Sequence, residues 1–222
     1  MKKLIFSIFI LSIFNSNLAF SDAKTGIILG SNFGMVELNN KFDSGDGLIS
    51  ENGNFIFGGL LGYDYKILKN ISFGIESGLS YAPDITHSKI ENPQGGTKIK
   101  INNINLPVLI TAKYFIGNFN IFAKAGYTLV RQQFKSYDSE DLANYPSYTI
   151  SQYHWNPTVS IGIGYYVTDH LAINIQYTNI IGKNINDHDN WESIQQSNLR
   201  IDYTPNTVFS NYSITAGITY RL

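Results

Sequence analysis

Residues 212–222 carry an apolar side chain at every second position, with polar or small residues between them. A period of two is that of a β-strand with one apolar and one polar face. The same pattern recurs in seven earlier segments, at 27–35, 54–66, 71–81, 105–114, 121–129, 159–167 and 173–178. The chain is therefore predicted to be all-β and antiparallel, and alternation alone permits either a soluble sandwich or a barrel that spans a membrane.

The connections between these eight predicted strands alternate strictly in length. Three are short, at 67–70, 116–119 and 168–170, and four are long, at 37–53, 82–98, 135–154 and 180–210. A sandwich with Greek-key connections has no reason to sort its loops in this way. Tight turns at one end and long loops at the other are typical of an eight-stranded, up-and-down transmembrane β-barrel, whose turns face the periplasm.

Aromatic residues on the apolar face fall into two layers. The outer layer comprises Phe33, Phe55, Tyr81, Tyr127, Tyr177 and Tyr212, and the inner layer Tyr65, Phe73, Tyr114, Tyr165 and Tyr220. Such layers are typical of the two interfaces of a bilayer. After residue 14 no apolar run is long enough for a transmembrane helix, so only a closed barrel could span the membrane.

The N-terminal residues predict a secretory signal peptide over 1–21, followed by one barrel domain over 22–222. Lys2 and Lys3 precede an apolar run over 4–14, and Ala19 and Ser21 supply the small residues of a cleavage site. With 16 basic against 17 acidic residues, nothing indicates a nucleic-acid partner. The absence of cysteine excludes disulfides, thiolate metal sites and a cysteine nucleophile.

Every charged residue inside the predicted strands falls on the polar face, which a barrel turns toward its lumen: Asp64, Lys66, Glu76, Lys113, Lys124 and Arg221. Glu76 and Lys124 lie at similar heights and are predicted to form a lumen ion pair. The other four are expected to gather nearer the turns. These charges either gate a narrow ion pathway or form a static plug in which buried charges satisfy one another.

Two loop clusters could carry chemistry. Ser151, His154 and Glu192 supply the residue types of a nucleophilic site, and the segment 186–190 supplies imidazole and carboxylates. Neither matches a known motif or ligand spacing. We therefore predict no catalytic residues, no metal site, no cofactor and no enzyme activity.

Residues Thr215, Gly217, Tyr220 and Leu222 resemble the C-terminal assembly signal of outer-membrane β-barrels, with Leu222 where the bacterial form usually has Phe. Residues 105–110 (Asn-Leu-Pro-Val-Leu-Ile) resemble a strand start common in such barrels. The chain thus resembles the small outer-membrane barrels, which include the transmembrane domain of outer membrane protein A and the opacity-like surface proteins.

This resemblance implies a monomeric protein of the Gram-negative cell outer membrane. Its implied partners are outer-membrane lipid, lipopolysaccharide, the barrel assembly machinery and a host-surface ligand. We expect an adhesin-like surface protein, with contact candidates in the third loop at Tyr137, Tyr145, Tyr148 and Tyr153, because tyrosine offers a large contact area at low entropic cost. Loops that only shield the barrel, a narrow pore and a lipid-modifying enzyme are the alternatives.

Overall fold

The computed structural model describes residues 23–39, 48–92, 95–138, 148–182 and 208–222. Its strands are β1 (Gly26–Leu38), β2 (Leu48–Asn52), β3 (Asn54–Leu68), β4 (Ile71–Asn92), β5 (Gly95–Ile116), β6 (Phe119–Asp138), β7 (Tyr148–Tyr166), β8 (Leu171–Ile180) and β9 (Asn211–Arg221). Within these ranges no helix has the length and apolar character needed to cross a membrane. The predicted signal peptide lies outside the described residues.

The strands form one antiparallel sheet that closes on itself. Its order is β2-β4-β3-β1-β9-β8-β7-β6-β5, and a further pairing of β4 with β5 joins the two sides. Strands β2 and β3 both pair with β4 and are separated at Gly53, whose φ is 110°. They act as two segments of one wall strand, so the described sheet is a closed barrel of eight strands, which confirms the predicted fold class.

The predicted short connections are tight turns at one end of the barrel, which we call the turn end. Gly117 has φ 59° in the β5–β6 turn, a left-handed conformation that glycine adopts without strain. The opposite end is the loop end. There the prediction of long loops was wrong for residues that the structure places in strands: 48–52 in β2, 82–92 in β4, 95–98 in β5, 135–138 in β6 and 148–154 in β7. Residues 139–147 lie outside the described residues.

The apolar face of every wall strand points outward. Ile110, Ile161 and Leu79 are more than half exposed, as are many other large apolar side chains of this belt. Aromatic pairs border the belt at both ends: Phe33 and Phe55 lie 5.4 Å apart between ring centroids at the loop end, and Phe119 and Tyr165 lie 4.8 Å apart at the turn end. Leaving a large apolar side chain in water instead of burying it loses about 1.5–3 kcal/mol of hydrophobic stabilisation. A belt of many such side chains is therefore stable only in lipid.

A charge on this belt should be costly in proportion to its depth. We expect Ile161→Arg, near the middle of β7, to lower the free energy of unfolding by about 2–4 kcal/mol, and Val167→Arg, on the same side but at the turn end, by about 0–1 kcal/mol. Urea titration of the protein folded in phosphatidylcholine vesicles measures both values. Equal losses in the two variants would contradict the assignment of the lipid-facing belt.

Candidate functional site

The lumen holds a cluster of buried charges with Glu76 of β4 at its centre. Its Oε2 accepts a hydrogen bond from Lys124 Nζ at 2.6 Å, and its Oε1 lies 3.4 Å from Lys113 Nζ. The structure therefore brings Glu76 and Lys124, the predicted lumen pair, into contact. Lys124 also lies 4.9 Å from the centroid of the Phe122 ring, which covers its ammonium group.

Asp64 of β3 continues this cluster toward the turn end. Its Oδ2 accepts hydrogen bonds from Lys113 Nζ at 2.9 Å and from Arg221 Nη2 at 3.2 Å. Arg221 also donates to Tyr166 Oη at 2.5 Å. The resulting lumen network runs unbroken from Tyr166 through Arg221, Asp64, Lys113 and Glu76 to Lys124, and so links six strands.

Two further polar-face residues, Lys66 and Tyr166, lie near the turn end of the lumen network. Lys66 lies two residues from Asp64 toward the turn end, where its backbone N–H donates to Thr25 Oγ1 at 3.0 Å. Tyr166 was not predicted as part of the site, although its position on the polar face next to the turn was a usable signal. A tyrosine turned into a lumen needs a polar partner for its hydroxyl, and Arg221 supplies that partner.

Glycines on the neighbouring strands make room for the two carboxylates. A Cβ added at Gly62 would lie 2.8 Å from Glu76 Cγ, and one added at Gly74 would lie 2.5 Å from Asp64 Oδ1. Both glycines occur at polar-face positions directly opposite a carboxylate residue in the ladder. A side chain at either position would displace the carboxylate from its lysine.

The lumen network contains three cations and two carboxylates, almost fully shielded from solvent. The side chains of Asp64, Lys124 and Lys113 are 0%, 7% and 10% exposed. Burying charges costs several kcal/mol for each ion unless paired groups and hydrogen bonds offset the lost hydration. Alternation of positive and negative groups along the network provides that offset, so removing one member leaves its neighbour uncompensated.

Apolar side chains close the lumen on both sides of this network. At the loop end a cluster is formed by Val36, Leu38, Ile56, Ala82, Ile85 and Ile101, with Phe134 and Phe209 packed against it. At the turn end Ala23, Phe115, Tyr166 and Ala172 form a second cluster. Charges held between two apolar layers favour a static plug over an open ion pathway.

The closing strand β9 carries the residues that resemble an assembly signal. Thr215 and Gly217 face the lumen, whereas Tyr220 and Leu222 face outward with 47% and 64% of their surfaces exposed. Arg221 lies between the two apolar residues and points into the lumen network. Strand β9 therefore completes the sheet with β1 and β8 while supplying one charge of the plug.

Comparison with protein families identifies the chain. A family model described as outer membrane protein beta-barrel domain matches residues 7–221. The chain belongs to this family. Its location is therefore the cell outer membrane, as predicted. Barrels of this class have short periplasmic turns and longer extracellular loops.

Several solved structures are similar to this chain. Ail, the attachment invasion locus protein of Yersinia pestis, is 13% identical, with 90% of this chain and 99% of that chain covered and a TM-score of 0.43. Neisserial surface protein A is 12% identical, with coverages of 89% and 97% and a TM-score of 0.45. OprG of Pseudomonas aeruginosa is 13% identical, with coverages of 91% and 100% and a TM-score of 0.48. Comparison with curated protein sequences finds no significant match.

The predicted contact tyrosines differ in their positions. Tyr153 lies in β7 and faces outward with 62% of its surface exposed. Tyr137 and Tyr148 belong to β6 and β7 instead of a loop, because the ladder of this hairpin continues beyond the bilayer. Tyr145 lies outside the described residues.

Two of the residues considered for catalysis, Ser151 and His154, do not come together. Ser151 and His154 are three positions apart on one strand, so their side chains point to opposite faces. Ser151 Oγ accepts from Arg131 and Gln133, each at 3.4 Å, and His154 Nδ1 lies 2.9 Å from the carbonyl oxygen of Trp155. Glu192 and the segment 186–190 lie outside the described residues, and the described part of the chain holds no group of three potential metal ligands.

A double-mutant cycle can measure the coupling in the lumen network. We expect Glu76→Gln to lower the free energy of unfolding by about 3–5 kcal/mol, because the Lys124 ammonium loses its carboxylate partner. Adding Lys124→Met should recover part of this loss. Lys24→Gln, at the exposed pair with Asp169, serves as the control and should cost about 0–1 kcal/mol. Additive effects of the two lumen substitutions in urea titrations would contradict the coupling.

Proposed function

We propose that this protein is a non-enzymatic, adhesin-like surface protein whose loop end contacts host or environmental molecules. The observation that carries the proposal is the unequal height of the barrel wall. Strands β4, β5, β6 and β7 are 19–22 residues long, whereas β8 and β9 have 10 and 11 residues. A transmembrane strand needs only about 9–11 residues, so one side of the barrel projects outside.

Regular backbone pairing makes this projecting sheet a rigid platform. In the β6–β7 hairpin the ladder continues to the pair Ser136 and Tyr148, and in the β4–β5 hairpin to Asn92 and Gly95. Roughly ten residues beyond the girdle correspond to about 33 Å along each strand. A preorganised sheet loses less conformational entropy on binding than a long flexible loop does.

The composition of the β6–β7 hairpin suits a contact surface. Tyr153 and Trp155 are 62% and 49% exposed, and the guanidinium carbon of Arg131 lies 5.6 Å from the Tyr153 ring centroid. Tyrosine, tryptophan and arginine are the residues most enriched among those that dominate binding energies at protein interfaces. Tyr137 and Tyr148 are two further tyrosines of the same hairpin and lie nearer its tip.

The tip of this hairpin is the part to test. Replacing residues 137–147 with Asn-Gly joins the paired residues Ser136 and Tyr148 through a two-residue turn. We expect cells that display this variant to attach to host cells or matrix proteins about tenfold less than cells with the full protein, because the variant lacks Tyr137 and Tyr145 at the tip of the hairpin. Attachment counts, normalised to the heat-modifiable barrel band on gels, provide the measurement.

The control variant shortens the β4–β5 hairpin in the same way. Replacing residues 90–97 with Asn-Gly joins the paired residues Lys89 and Lys98 and should leave attachment unchanged. If the full-length protein promotes no attachment, the adhesin-like function is wrong. If both trimmed variants attach as well as the full protein, the projecting hairpins are not the contact surface.

A narrow pore is the second candidate, because the charged residues form a continuous chain in the lumen, although the apolar layers on both sides of it argue for a plug. Planar-bilayer recordings of the purified protein test it directly. Discrete conductance that changes in Glu76→Gln would support the pore, because Glu76 lies at the centre of the lumen network. Recordings without conductance would support the plug.

A further inference from the structure

Strand β7 extends beyond the end of its neighbour β8, and on that side no described strand pairs with its outer part. The last described hydrogen bond between the two strands runs from Ile181 N–H to the carbonyl oxygen of Pro157 at 2.9 Å. Gly182 N–H then donates to Ser210 Oγ at 2.8 Å, so the chain turns away from β7. Positions 148–156 of β7 all remain paired with β6 on the other side. Within the described ranges, this segment is therefore an edge of the projecting sheet.

Along this segment the backbone groups of alternate residues point away from the sheet. The Pro157 carbonyl faces β8, whereas Tyr166 N–H faces the β6 side, where it donates to the carbonyl oxygen of Asn118 at 2.8 Å. A residue of an antiparallel strand turns its N–H and its C=O to the same side, so odd positions of β7 face the β8 side and even positions face β6. The N–H groups directed to the side without a described strand are those of Thr149, Ser151, Tyr153 and Trp155. We call positions 149–155 the β7 edge.

The sequence of the β7 edge lacks the features that usually keep an edge strand from pairing. Such strands are commonly protected by shortness, by charged residues or by proline. Positions 149–155 read Thr-Ile-Ser-Gln-Tyr-His-Trp, without Asp, Glu, Lys, Arg or Pro. Proline occurs only at Pro157, where the contact with β8 begins. In contrast, β2 at the other end of the projecting sheet has five residues and includes Glu51. The β7 edge is thus suited to accept a further strand.

A side-chain amide beside the β7 edge needs a partner. Gln152 lies on the inward face, opposite Gln132 in the β6–β7 ladder. Gln132 donates to Asn103 Oδ1 at 3.0 Å and accepts from Phe209 N–H at 3.2 Å. Both amide atoms of Gln152, in contrast, are shielded from solvent and have no hydrogen-bond partner in the described structure. A shielded amide without a partner destabilises a protein, and a strand added at the β7 edge brings a side chain next to Gln152.

From these observations we infer that the β7 edge binds an extended segment of another protein, which adds to the sheet as an antiparallel strand. Backbone hydrogen bonds give such a complex its affinity, and the side chains opposite the edge give it selectivity. Opposite Gln152 the segment needs an amide or a hydroxyl. Opposite Tyr153 it favours a carboxylate, because Arg131 on the next strand has no carboxylate partner among the described residues. The inference rests on the proposed adhesin-like function for the origin of this segment, a protein outside the cell.

A peptide that meets these requirements tests the inference on the purified protein. The probe is fluorescently labelled Thr-Val-Glu-Asn-Thr-Val-Thr, whose Glu lies opposite Tyr153 and whose Asn lies opposite Gln152 in the antiparallel register. We expect saturable binding to the protein in phosphatidylcholine nanodiscs, measured by fluorescence anisotropy, together with slower hydrogen exchange of the Ser151 and Tyr153 N–H groups. N-methylation of the third and fifth peptide residues should abolish binding, because their N–H groups face β7. N-methylation of the fourth and sixth residues, which face away, should not.

Proline substitutions supply the matching change in the protein. Thr149→Pro/Ser151→Pro removes two N–H groups of the β7 edge without removing a hydrogen bond to β6, and should lower the peptide affinity about tenfold. The control Thr149→Ala/Ser151→Ala keeps both N–H groups and should bind within about twofold of the wild type. Replacing the peptide Asn with Val should weaken binding to the wild type more than binding to Gln152→Met. Equal affinities of the proline and alanine variants, both folded by heat-modifiable migration, would overturn the inference.

The outcome for the β7 edge is separate from the outcome for adhesion. Peptide binding by a protein that promotes no attachment of cells would support the β7 edge and contradict the adhesin-like function. Attachment of cells without peptide binding would leave that function standing and overturn the β7 edge. The variant trimmed at residues 137–147 keeps the β7 edge, so its peptide affinity should equal that of the wild type.

Discussion

Backbone hydrogen bonding in lipid is the constraint on which the rest of this structure depends. Inside a bilayer no water can satisfy a free N–H or C=O, so a spanning sheet must close and leave no edge. Here closure comes from the pairing of β9 with β1, across which Asn32 lies opposite Gly217. Because the closing strand comes last in the chain, no partial chain has a complete barrel wall.

Closure then determines what the lumen must contain. Eight strands enclose a space that side chains can fill, and the inward positions of this chain supply charges, amides, hydroxyls and glycines. The lumen network compensates its own charges through Asp64 and Glu76, while Gly62 and Gly74 give these carboxylates room. Apolar clusters above and below shield the charges from solvent, and the resulting low polarity strengthens each ion pair and makes the removal of one partner costly.

Beyond the bilayer the same sheet meets different demands. There the strands no longer need an apolar outer face, and the outward residues of β6 and β7 include Arg131, Gln133 and Tyr153. The other side of the barrel ends close to its aromatic layer, with β1 ending at Leu38 and β8 at Ile180. This asymmetry leaves one side of the barrel wall taller than the other at the loop end.

The sequence alone determined the fold class, the facing of each strand and the tight turns. The fold class and the facing of the strands follow from the period-two alternation, which indicates the face of each strand that lies in lipid. It also placed Glu76, Lys124, Asp64, Lys113 and Arg221 in the lumen, since charges cannot face the bilayer. Outside the lipid that constraint disappears, and a strand with polar residues on both faces does not show the alternation. Residues 82–98 were therefore predicted as a loop.

Only the tertiary structure decided which lumen charges touch one another. Contacts between Arg221 of β9 and Asp64 of β3 depend on barrel closure and on the stagger between strands, and neither can be read from a single strand. The same is true of Tyr166, whose hydroxyl becomes a partner of Arg221 only when β7 and β9 curve around one lumen. The rungs that align Arg131 with Tyr153 likewise come from cross-strand register, which the hydrogen-bond ladder imposes after the strands have paired.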